Sequence, residues 1–180
     1  MSRLTVHTIE SAPTEAQARV ETAKKNNGFL PNLIGVLAGA PSALEMYQEV
    51  GAMNARSSLS AAEREVVQIT AATLNRCAFC VAGHTALSVK KKLLEESEIQ
   101  ALRQTTPLSD AKFNALAVFT QAVMREKGAV SDEELKAFFD AGYGEQQSLE
   151  VVLGVALATL CNYANNLAKT SINPELEPYA

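Results

Sequence analysis

Alternating runs of β-branched residues bounded by turn signals are missing from this sequence, and with them the usual mark of a sheet. No glycine-rich phosphate loop of the GxGxxG or P-loop form occurs; the glycines punctuate helices instead. Cysteine is scarce, at 3 residues, and histidine scarcer, at 2. Neither sign of charge dominates: 16 Lys and Arg against 20 Asp and Glu leave a net charge of −4. That balance recommends neither nucleic acid nor an anionic membrane as a partner. No apolar run reads as long enough to span a membrane, and the opening Met-Ser-Arg-Leu-Thr-Val-His does not read as a signal peptide. Three cysteines in that setting imply a reducing compartment. A cytoplasmic location is therefore expected, where a CxxC is catalytic or metal-binding rather than structural.

What is present is helical. The 180 residues suit a single domain, 1–180, with 47% hydrophobic and 20% charged residues, an ordinary globular balance. Thr14 with Gln17 opens a first helix that Gly28 closes. Pro31 and Pro41 each read as the first residue of another helix, the second running to about Ala55. Ser60-Ala-Ala-Glu63 reads as a capping box opening a helix to Leu74, and Asn75 as the cap of the next, from Arg76 to about Lys90. Ser109 opens a helix that Gly128 closes, Ser131 to Glu134 is a second capping box, and a long apolar helix spans about Glu145 to Lys169. The expected fold class is all-α, a multi-helix bundle.

The chemistry concentrates in the stretch 60–90. Cys77-Ala-Phe-Cys80 is a CxxC, and His84 follows the second cysteine by four residues. On a helix these positions share one stripe with Leu87. A thiol needs a base and a positive environment to ionise, and a second thiol in reach to form a disulfide; both are offered here. On the preceding helix Ala62, Glu65, Ile69 and Ala72 share a face, with Arg64, Gln68 and Asn75 on the polar one. Glu65 therefore points inward or sits at the edge of the core, where a carboxylate needs a partner. Because His84 stands one turn from Cys80 and two from Cys77, the imidazole is expected to take the Cys80 proton, with Glu65 orienting it. Cys77 would then act as the resolving thiol.

Glu65, Cys77 twelve residues on, then Cys80 and His84 resembles the E-x11-C-x-x-C-x3-H core of AhpD-like alkylhydroperoxidases, in the carboxymuconolactone decarboxylase superfamily. Phe29-Leu-Pro-Asn-Leu, Leu37-Ala with Pro41, and Asn162-Tyr163 are similar to its peroxidase-related branch. One departure is Phe79, which stands where the best-characterised members carry a second histidine. The resemblance implies an AhpD-like fold and a thiol-dependent peroxidase. Its Cys77–Cys80 pair would cycle between dithiol and disulfide, with no bound cofactor or metal. It further implies a hydroperoxide substrate, a lipoyl-type or thioredoxin-like external reductant, and a homo-oligomer, commonly a trimer or hexamer.

Other readings stay open. The same pair suits a disulfide oxidoreductase. Cys77, Cys80, His84 and Glu65 also supply four zinc-type ligands, which would make the chain a metal-binding or interaction domain. Haem attachment is excluded because Val81, not histidine, follows Cys80. Cys161, within Leu157-Ala-Thr-Leu-Cys, reads as a small buried hydrophobe, and His7 carries no assignment. Finally, Glu150-Val-Val echoes Glu65-Val-Val, and the same offset sets Asn162 and Asn165 against Cys77 and Cys80. The echo raises the prospect of a duplicated helical hairpin.

Overall fold

The computed structural model describes residues 2–180 and is helical throughout, with no strand among them. In chain order the helices are α1 (Thr14–Asn27), α2 (Asn32–Leu37), α3 (Pro41–Asn54), α4 (Ala61–Leu74) and α5 (Ala78–Lys91). They continue with α6 (Glu96–Gln104), α7 (Ala111–Arg125), α8 (Asp132–Asp140) and α9 (Glu145–Ala168), before a 3₁₀ turn at Glu177–Tyr179.

Local signals set several of these boundaries. Ser60 Oγ accepts from the Glu63 N–H while the Glu63 carboxylate accepts from the Ser60 N–H, the reciprocal box that starts α4. Ser131 and Glu134 repeat it at α8. Gly28 closes α1 with φ 78, a left-handed conformation glycine adopts without a Cβ clash. Other expectations shift by a residue or so. Pro31 caps α2 rather than opening it, α1 starts after Pro13 without a side-chain cap, and Asp110, not Ser109, caps α7. Ser109 Oγ is bonded to Glu98 instead. Helix α6 has no counterpart in the sequence reading.

Helix α4 is the centre of the packing, touching α5, α6, α7 and α9. It separates two apolar clusters. One gathers Val20, Leu44, Ala72, Phe79, Leu157 and Cys161; the other gathers Val66, Ile69, Ile99, Leu116, Phe138 and Val151. In the second, Phe138 stacks between Phe119 and Tyr143, at centroid distances of 4.1 and 4.5 Å. Because α4 is covered on several sides, its supposed polar face is only partly solvated. Gln68 is buried and donates to the Gly154 carbonyl at 2.9 Å.

Helix α9 corrects two expectations. By length and composition it is apolar enough to cross a membrane, yet it packs on α2, α3, α4, α5 and α7. It also runs unbroken through the positions where an echo of the α4–α5 turn would fall, so no second hairpin exists there. Its close approach to α4 depends on Gly154, since a Cβ there would stand 2.9 Å from Val67 Cγ1.

Candidate active site

The link between α4 and α5 is only three residues long. Arg76 takes a left-handed conformation at φ 53, and the Arg76 and Cys77 N–H groups bond back to the Thr73 and Ala72 carbonyls at 3.0 and 2.9 Å. This is a Schellman closure of α4. Asn75 therefore ends α4 instead of starting α5, and Cys77 is itself the N-cap of α5, with Ala78 as its first residue. The expected start at Arg76 is two residues early. Asn75 is held from α9: its Nδ2 donates to Asn162 Oδ1 at 2.9 Å, and its carbonyl accepts from Asn166 Nδ2 at 2.8 Å.

That turn places Cys77 and Cys80 at the start of α5, both buried and both free thiols. Cys77 is drawn down to about 7, chiefly because it accepts from the Cys80 thiol. Burial opposes this, while the backbone N–H groups of Cys80 and Phe79 and the Asn165 amide favour the charged sulfur. Cys80 is pushed up, because its proton is engaged by Cys77, because it is buried, and because the neighbouring Cys77 and Cys161 charges oppose a second one. The two thiols thus act as one acid sharing a proton, with the resting charge on Cys77.

Glu65, 6% exposed on α4, meets His84 on α5. Glu65 Oε2 lies 2.8 Å from His84 Nδ1, so the carboxylate accepts the Nδ1 proton and leaves Nε2 as the free ring nitrogen. Burial works against charge on this imidazole, but the Glu65 carboxylate outweighs it, and the His84 pKa is raised. No hydrogen bond joins His84 to either thiol among the described residues.

Cys80 and His84 both line a cavity of about 760 Å³ among α1, α2, α3, α5 and α9; Cys77 does not. Three lining residues of note were not assigned a place here by the sequence. Tyr47 of α3 is a half-buried phenol whose pKa is raised by desolvation. Cys161 is buried as expected and pushed up to about 12 by that burial, yet it faces the same cavity as Cys80. Phe29 enters from the loop that Asn173 pins, by donating to the Leu30 carbonyl and accepting from the Asn32 N–H. A fourth residue, Asn165, touches the thiols directly: its Nδ2 donates to Cys80 Sγ at 3.3 Å. Nothing in the local sequence marks it, because the contact joins helices distant in the chain. Among the described residues no group of three or more His, Cys, Asp or Glu side chains converges so as to hold a metal ion.

This architecture is that of an AhpD-like helical protein. Residues 41–121, which carry Glu65, both CxxC cysteines and His84, match the family model described as the Carboxymuconolactone decarboxylase family. Among solved structures, an uncharacterized peroxidase-related protein from Ralstonia eutropha JMP134 with an alkylhydroperoxidase AhpD core is 19% identical. It aligns over 97% of this chain and 94% of its own, with a TM-score of 0.84. An uncharacterized peroxidase-related protein from Silicibacter sp. TM1040 is 18% identical over 97% and 93%, with a TM-score of 0.81. The debrominase Bmp8 in complex with 2,3,4-tribromopyrrole is 13% identical over 98% and 94%, with a TM-score of 0.78. At these identities the likeness is one of fold. No curated protein sequence matches the chain.

Proposed function

We propose that this protein is an oxidoreductase of the thiol peroxidase type, reducing hydroperoxides through Cys77 and Cys80. The observation that carries the reading is His84, held by Glu65 from behind, on the wall of the cavity that Cys80 faces. The peroxide enters this cavity and meets Cys80. A proton shift across the Cys80–Cys77 hydrogen bond moves the negative charge to Cys80, where Asn165 donates to it. The sulfur attacks the terminal peroxide oxygen, forming S–O as O–O breaks. His84, whose charged form Glu65 favours, protonates the departing alkoxide directly or through one water. Cys77 then attacks the sulfenic acid: S–S forms, S–O breaks and water leaves. One hydroperoxide and two thiols have become an alcohol, a disulfide and water. An external dithiol resets the pair.

The burial of both sulfurs, 1% exposed at Cys77 and 5% at Cys80, favours a slender reductant over the broad face of a protein. Of the two expected reductants, this favours the lipoyl-type arm over the thioredoxin-like protein. The same burial weighs against general disulfide exchange with protein substrates. We further propose a homo-oligomer, supported by the exposed apolar Leu149, Val152, Tyr163 and Leu167 on one face of α9. A steady-state assay of peroxide consumption with several dithiol donors tests the activity. Consumption that requires both cysteines is expected, and failure with every donor would favour the disulfide oxidoreductase.

A further inference from the structure

The geometry points to a particular substrate for this site: a hydroperoxide on the chain of a long fatty acid, whose carboxylate is received by Lys90 and Lys91. This builds on the thiol peroxidase reading and adds to it a second recognition point at the far end of the cavity.

The argument begins on α5. Cys80, Gly83, His84, Leu87, Lys90 and Lys91 all line the cavity, and their spacing of three, four, seven, ten and eleven residues from Cys80 is one helical stripe. At the α-helical rise, Cys80 and Lys90 are separated by about 15 Å along the axis. The cavity therefore has a reactive end and a cationic end, joined by a wall. That wall is mainly apolar, with Phe29, Leu33, Ile34, Leu157 and Leu176 among its members beside the uncharged polar Asn26, Asn27 and Gln48. No acidic residue lines it; apart from His84 the ionic lining groups are the two lysines. Both lysines are exposed and neither forms an ion pair with a described residue. Lys90 Nζ lies 5.6 Å from the centre of the Tyr179 ring, which leans it against the 3₁₀ turn.

A small peroxide would occupy only the thiol end of a space of about 760 Å³. An extended alkyl chain fills the remainder, and each methylene taken from water strengthens binding roughly fourfold. A chain with its carboxylate at the lysines sets a mid-chain carbon, about 15 Å away, beside Cys80. The lysines thus select both the acid over its ester and the position of the peroxide along the chain.

The experiment compares linoleic acid hydroperoxide, its methyl ester, tert-butyl hydroperoxide, and a phospholipid hydroperoxide in neutral vesicles, using the full chain. The free acid is expected to have the highest kcat/KM, exceeding the ester by about fivefold at low salt, with the difference shrinking as salt rises. The Lys90→Gln/Lys91→Gln double variant is expected to bring acid and ester to parity. Displacement of cis-parinaric acid, which carries no peroxide, measures carboxylate binding independently of turnover. If tert-butyl hydroperoxide oxidises the thiols but acid and ester react alike, the lysine assignment is overturned and the peroxidase stands. Equal reduction of the vesicle phospholipid also overturns it. If no peroxide oxidises the pair while cis-parinaric acid binding still needs both lysines, the peroxidase reading falls and the carboxylate recognition stands.

Discussion

Asn165 on α9 donates a hydrogen bond to Cys80 on α5 across 3.3 Å, between residues 85 positions apart. The amide is buried, and its Oδ1 has no hydrogen-bond partner. The group is therefore placed as a donor to sulfur. Asn165→Ala is expected to raise the apparent pKa of the thiol pair and to slow single-turnover oxidation by about 10- to 100-fold, the worth of a hydrogen bond to a charged group. A residue that merely packed would change the rate without moving the midpoint of its pH profile.

The Glu65–His84 pair joins α4 to α5, so its two members should differ when removed. Glu65→Gln keeps a hydrogen-bonding side chain but loses the charge that raises the His84 pKa. It should lower the rate by about tenfold or more, with little loss of stability. His84→Ala leaves a buried carboxylate unpartnered and should cost on the order of 1–3 kcal/mol as well as activity. His84 is charged more readily in the fold than out of it. Its contribution to stability is thus present at low pH and is lost as pH rises through its raised value. Denaturant titrations across pH, for the wild type and His84→Ala, separate these effects.

The cysteines should not be equivalent. Under the proposed roles, Cys80→Ser abolishes the first reaction with peroxide, while Cys77→Ser reacts once and stalls as a trappable sulfenic acid. The wild-type rate should rise with pH through about 7, where Cys77 releases the proton the pair does not keep. In Cys77→Ser that rise should move up toward the ordinary thiol value of 9.0, because the partner that carried the charge is gone. Stability follows the same group: its depressed pKa stabilises above the unfolded value and the effect is lost as pH falls through about 7. Peroxide-dependent trapping by a dimedone probe reads the outcome. A sulfenic acid on Cys77 in Cys80→Ser would reverse the assignment.

Much of this site was legible because its residues are neighbours in sequence. The α4 boundaries follow from Ser60 and Glu63, whose reciprocal bonds are purely local. Glu65 pointing inward follows from helical periodicity, and the structure buries it. Asn75 was misread because asparagine suits either end of a helix. What decides is the grip of Asn162 and Asn166 from α9, which no local pattern encodes. Gln68 failed for the same reason, since the carbonyl that satisfies it belongs to Gly154. Helix α6 was missed because its nine residues have no side-chain cap at Glu95 and bury little beyond Glu98, Ile99 and Leu102.

Gly154 makes a stability forecast. With Val67 fully buried against it, Gly154→Ala forces the α4–α9 contact apart. A loss of about 1–3 kcal/mol is expected from overpacking, against the small gain alanine usually brings to a helix. The shift of the urea midpoint measures it. A stabilised variant would show that the two helices can separate cheaply.

The apolar face of α9, Leu149 at 71%, Tyr163 at 61% and Leu167 at 64% exposure, leads to an expectation about assembly. Analytical ultracentrifugation should find a homo-oligomer at micromolar concentration, and Leu149→Asp with Leu167→Asp should shift it toward monomer. A stable wild-type monomer would count against the proposed assembly.

The three-residue link at 75–77 also limits how this stretch can change in length. It serves both helices at once, with Asn75 ending α4, Arg76 turning the chain and Cys77 beginning α5. One residue of a helix subtends about 100°. An insertion or deletion between Glu65 and Ala72, or between Cys80 and His84, would therefore rotate one reacting group a quarter turn or more away from its partner. Substitutions here cost according to their chemistry, whereas a single added residue would cost the whole site. The interval between carboxylate and imidazole is held by geometry as firmly as the residues themselves are held by their reactivity.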